Sequence, residues 1–166
     1  MKVKHVPAAP DSLDFVESAQ RAVPLVPGSE DDCCARLIDR TDIVARDDAA
    51  TWLTFMRGLG LAEEGERGFS RIRREPTADY LREAIVEGIF GVADVLEILR
   101  EADDAGDGPL SLDSVFDRFE DTVPRWERHK HPNDWRHVWT EKVEHELDWL
   151  VLLDLAEKTD DGYRAV

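Results

Sequence analysis

Residues 53–72 and 147–166 repeat one another at an offset of 94, with no gap. Leu53 falls on Leu147, Leu59 on Leu153, Leu61 on Leu155, Ala62 on Ala156, Glu63 on Glu157 and Gly68 on Gly162. Phe55 falls on Trp149, Phe69 on Tyr163 and Ile72 on Val166. Leucine-rich helices coincide by chance, so the identities alone constrain little. The shared order constrains more: a helix, a hairpin turned on glycine, and an aromatic on the returning strand. Self-similarity at this scale implies two units of one design.

Apolar spacing supplies the other elements. Leu13, Phe15, Val16, Ala19 and Val23 mark one face of a first helix, ended by Pro24, Pro27 and Gly28. Ser29 caps a second, with Glu30, Asp31 and Asp32 in its first turn, where the helix dipole favours negative charge. A third runs from about 46 to 59, with a stripe of Ala49, Trp52, Leu53, Met56 and Leu59. Gly65 and Gly68 turn the hairpin that follows. Beyond Pro76 the stripe Tyr80, Leu81, Ile85, Ile89, Val92, Leu96 and Leu99 predicts one long helix over 77–103. Ser111 caps another helix, and a last one over about 134–154 leads into the second hairpin. The expected division is a first unit over 1–75, then a linking helix with the second unit over 76–166.

Charge bounds the partners. The chain carries 37 acidic and 21 basic residues, a net of −16. Asp numbers 21 and Glu 16, while Lys is only 5 against 16 Arg. An Asp-rich, Lys-poor surface on a chain that is 42% hydrophobic resembles the proteins of salt-in halophilic archaea. In molar salt the Debye length is roughly 3 Å, so this self-repulsion is largely screened. Such a background charge does not exclude nucleic acid as a partner. No run of eighteen apolar residues is present, and the N-terminus lacks the apolar core of a signal peptide. A cytoplasmic protein is the expectation. Cys33 and Cys34 are neighbours, which cannot pair without strain, so reduced thiols are expected.

Three helices followed by a hairpin, twice over, resemble the winged-helix superfamily. The fold expected is mainly α with small β-hairpins: two winged-helix-like units joined by a long helix. The resemblance implies that the third helix of each unit enters the DNA major groove and that the hairpin, or wing, touches backbone or minor groove. Many winged helices bind protein instead, so the fold alone does not assign function.

On that resemblance the candidate DNA contacts are Arg46, Thr51, Thr54 and Arg57 on the third helix, and Arg67, Arg71, Arg73 and Arg74 on the wing. Arginine suits phosphate because its planar fork binds two oxygens at once. Against contact stand Asp47 and Asp48 at the N-terminus of that helix, and the alternative of an edge hairpin kept soluble by charge. A secondary basic patch comprises Arg125, Arg128, Lys130 and Arg136, interleaved with Trp126, Trp135 and Trp139. Trp135 and Trp139 continue a helical stripe with Val143, Leu147 and Leu150, and read as core.

His129, His131 and His137 lack the Cys partners of a structural zinc site. Asp103, Asp107 and Gly108 imitate the start of a calcium loop, but Ala105 and Ser114 stand where it needs ligands. No metal or cofactor is expected. No nucleophile elbow or phosphate loop is present, so no enzyme is expected either. The reading is a DNA-binding or transcription-regulatory protein acting on double-stranded DNA at high salt. Its rival is an adaptor that meets a protein partner or a second copy.

Overall fold

The three helices of the first unit form where the apolar spacing puts them: α1 (Asp14–Ala22), α2 (Glu30–Arg40) and α3 (Arg46–Gly58). Ser29 Oγ accepts from the Asp32 amide at 3.0 Å, satisfying a donor at the start of α2. The helices bury Val16 and Ala19, Cys33, Cys34 and Leu37, and Trp52, Leu53 and Met56 against one another. The wing is antiparallel, β1 (Ala62–Gly65) on β2 (Gly68–Arg71), with Ala62 opposite Arg71. Gly28 adds a one-residue third strand to it. Gly28 N donates to Phe69 O at 2.9 Å and Phe69 N to Gly28 O at 2.8 Å, and the Phe69 ring closes the core.

A fourth helix, α4 (Ala78–Gly88), completes this unit. Thr77 caps it, and Tyr80 Oη donates to the Leu59 carbonyl at 2.6 Å, tying it to the end of α3. The computed structural model describes residues 2–166, and the chain divides into compact units of residues 1–90 and 91–166.

The single helix expected over 77–103 is two helices, α4 and α5 (Val92–Asp104). Val3 accounts for the break. Its amide donates to Gly88 O at 2.9 Å and its carbonyl accepts from Phe90 N at 2.8 Å, drawing Ile89 into a parallel β-bridge. Gly91 then takes φ +90°, a left-handed turn that glycine adopts without penalty. The apolar stripe runs through the break, so its period does not reveal it. Residues 76–90 therefore pack with the first unit, and no long helix joins the two.

In the second unit α5, α6 (Leu112–Phe119) and α8 (Trp135–Leu152) take the places of α1, α2 and α3. The wing β3 (Ala156–Thr159) and β4 (Gly162–Ala165) repeats β1 and β2 residue for residue at the offset of 94. Leu110 pairs with Tyr163 as Gly28 pairs with Phe69, with both bonds at 2.8 Å. Ser111 caps α6 as Ser29 caps α2. The offset here is 82, not 94, so the second unit carries twelve more residues between the start of its second helix and its wing, most of them between its second and third helices. That extra chain forms a 3-10 turn (Glu120–Thr122) and a short helix, α7 (Arg125–Lys130). Trp139, Trp149, Val143, Leu147 and Leu150 of α8 are buried, each contributing roughly 1.5–3 kcal/mol of hydrophobic stabilisation.

Candidate nucleic-acid interface

The basic residues of the first unit fall into two groups. On α3, Arg46 and Arg57 are exposed but engaged. Arg46 Nη2 lies 2.6 Å from Asp31 and 3.8 Å from Glu30, at the start of α2. Arg57 Nη1 lies 2.6 Å from Glu64 on β1. Exposed pairs of this kind are worth about 0–1 kcal/mol and can open to another anion. Thr51 and Thr54 are half-buried between them, while Asp47 and Asp48 are exposed in the first turn. The helix that would enter a groove is therefore flanked by carboxylates.

The second group differs. Arg67 is exposed at the wing tip. Beyond β2 the chain continues through 72–76 without helix or strand, as a strap beside α1. Gln20 of α1, only 5% exposed, fixes it: its amide donates to Ile72 O at 3.0 Å and Arg74 O at 2.7 Å. Arg73 and Arg74 are exposed, and the Arg74 guanidinium lies 4.8 Å from the Tyr80 ring centre. Arg71 is half-buried, and its Nε is enclosed without an acceptor. The strap and α1 bound an open cleft of about 460 Å³, which Arg21 also lines. Among the described residues Arg67, Arg71, Arg73 and Arg74 have no carboxylate partner, whereas Arg46, Arg57, Arg118, Arg136 and Arg164 each have one.

The basic patch of the second unit is partly consumed by its own architecture. Arg128 Nη2 donates to the Glu120 carbonyl at 2.5 Å and stacks 4.4 Å from the Trp135 ring. Arg136 pairs with Glu120 and lies 5.2 Å from the Phe116 ring. Arg128 holds α7 against the end of α6 and the start of α8, and Arg136 ties α8 to α6. Arg125, His129 and Lys130 are exposed beside Trp126, which is 53% exposed with Lys130 5.9 Å over its ring. Trp139 is core, while Trp135 is half-buried under the two arginines.

Both cysteines are free and buried, and burial raises their pKa first, so they are poor nucleophiles at neutral pH. Among the described residues no group of three or more His, Cys, Asp or Glu is arranged to hold a metal ion. His131 lies 3.8 Å from Asp134. No helix among them is long and apolar enough to cross a membrane.

Sequence reasoning missed Gln20, Arg21 and the buried Glu146. Gln20 and Glu146 had a signal: each is a polar residue on an apolar helical stripe, with Val16 and Val23 in one case and Val143 and Leu150 in the other. Arg21 had none, because only the strap's path brings it to the cleft.

Comparison with curated proteins and with solved structures returns no match. A family model, the halobacterial double winged helix domain, matches residues 1–166. With two wings in the same register and two three-helix cores, the chain belongs to the halobacterial double winged helix domain family.

Proposed function

We propose that this protein binds double-stranded DNA in a regulatory role, through phosphate contacts made by the wing and strap of the first unit. The observation that carries this reading is the local surplus of arginine. In a chain of net −16, Arg67, Arg71, Arg73 and Arg74 lie within eight residues and none has a carboxylate partner among the described residues. Folding alone does not require them. The wing is anchored by Phe69 and by its bonds to Gly28, and polar uncharged residues would serve on the strap. The fold family and its usual role in DNA binding or regulation support the same reading.

Contact of this kind is backbone contact, so it favours affinity over sequence choice. The acidic surroundings of α3 argue against deep entry of that helix into a groove. They favour the second reading, an adaptor whose acidic α3 face meets a basic protein partner.

The test is binding of labelled genomic duplexes over a series of potassium chloride concentrations. Replacing Arg71, Arg73 and Arg74 together with Gln should sharply weaken binding. The slope of log affinity on log salt should fall by about one unit for each phosphate that the variant no longer neutralises. The melting temperature should change little. A variant that folds and binds as the parent does removes the wing as the contact surface and moves the adaptor reading ahead. A variant that unfolds makes the arginines structural.

A further inference from the structure

We infer that the cleft between α1 and the strap is a binding site for a phosphorylated small molecule of nucleotide size, and that this ligand competes with DNA for the strap arginines. The competition rests on the DNA reading above; the ligand site itself does not.

Shape is the first argument. The cleft, about 460 Å³, falls within the range of small-molecule sites. A duplex presents a convex backbone, which can reach Arg67, Arg73, Arg74 and the half-buried Arg71 from outside. A small anion can also enter the cleft itself, where Arg21 joins Arg71, Arg73 and Arg74 in the wall.

Preorganisation is the second argument. The two bonds from Gln20 hold the strap backbone in place, so Arg71 and Arg73 project from a fixed frame. Arg21 pairs with Glu17 at 2.6 Å, which neutralises a carboxylate that would otherwise repel an anion from the cleft. Glu75 remains against Arg71 at the end of β2 and Arg73 and Arg74 on the strap. The lining is therefore net positive in a strongly negative chain.

Chemistry of the remaining wall sets the ligand class. Leu25, 44% exposed, lines the cleft together with Ile72 and Pro76. A cationic wall facing a small apolar one fits a nucleoside di- or triphosphate better than a bare phosphate: the phosphates meet arginine and the base covers Leu25.

The experiment uses the full chain in about 2 M potassium chloride. Calorimetry with ATP and with pyrophosphate reads the site, and anisotropy of a labelled duplex reads the competition. The expected result is saturable binding of ATP at one site, weaker binding of pyrophosphate, and displacement of the duplex by ATP. Arg71→Gln should weaken ATP binding by about tenfold or more, as loss of a charge-assisted hydrogen bond does. Arg73→Gln, at an exposed position, repeats the test if Arg71→Gln fails to fold. Leu25→Ser should weaken ATP and leave pyrophosphate unchanged. No saturable binding of either probe, or equal affinity in the folded arginine variants, overturns the site. ATP binding without any duplex binding upholds the site and overturns the DNA reading. Duplex binding that saturating ATP does not disturb overturns the competition.

Discussion

Glu146 sits where a carboxylate is costly. It is 1% exposed on α8, beside Gly91 at the start of α5, with Oε1 lacking a partner. At the offset of 94 it takes the place that Trp52 fills in the first unit, where Trp52 packs 5.0 Å from Phe15. Burial pushes its pKa well above the ordinary 4.5; Lys142 on its own helix opposes the shift and Asp94 on α5 adds to it. The sign follows from proton binding. Below about pH 4.5 both folded and unfolded chains hold the proton, and the shift has no effect. Above it the unfolded chain releases a proton that the folded chain keeps. Stability therefore falls as pH rises, by up to about 1.4 kcal/mol per unit, until the folded pKa is passed. Glu146→Gln should flatten this dependence. Measured at fixed salt, its melting temperature should gain on the parent as pH rises above about 5, until the folded pKa of Glu146 is passed. Parallel curves would mean that Glu146 is ionised in the folded state.

The two wings are held by the same device. Gly68 and Gly162 have φ of +114° and +136°, in the region that favours glycine. Each also approaches the one-residue third strand so closely that a Cβ would lie 2.1 Å from Gly28 O or 2.2 Å from Leu110 O. A side chain there must push back the strand that pairs with Phe69 or Tyr163. Strain alone costs about 1–3 kcal/mol at such a position, and the contact with a backbone carbonyl adds to it. Gly162→Ala should destabilise the second unit by about 2–4 kcal/mol in denaturant titration. Gly65→Ala, at the tip of the first wing with no atom within 4 Å of the new Cβ, should stay within about 0.5 kcal/mol of the parent. Equal effects at the two positions would show that the third strand contributes little.

Two electrostatic effects of opposite sign act on the molecule as a whole. Added salt weakens exposed ion pairs such as Arg46–Asp31 and Arg57–Glu64, each worth about 0–1 kcal/mol. It also screens the repulsion among an excess of 16 negative charges, which sums over the whole surface. The second effect should win. Melting temperature should rise by about 10 °C or more between roughly 0.1 M and 2 M potassium chloride. A flat or falling profile would mean that local pairing outweighs net charge. It would then restore net repulsion as an argument against a DNA partner.

Local chemistry was enough to fix most elements of each unit. Ser29, Thr77 and Ser111 cap helices because a hydroxyl followed by an acidic or polar first turn satisfies free amides wherever it occurs. Gly65 and Gly68 turn a hairpin for equally local reasons, and the offset of 94 disclosed the second wing down to its register. The break between α4 and α5 was not legible, because it depends on Val3 pairing with a segment more than eighty residues away. The added residues around α7 likewise fall outside the gap-free repeat. The arginines of the candidate site were visible as types. Whether they are spent or free was decided in three dimensions. Asp31 and Glu64 reach Arg46 and Arg57, Glu120 takes Arg136, and the end of β2 and the strap carry Arg71, Arg73 and Arg74 beside α1 without a carboxylate partner among the described residues. Residue type sets what a side chain can bind; the path of the chain sets which partners come within a few ångströms, and Coulomb and hydrogen-bond energies count only there.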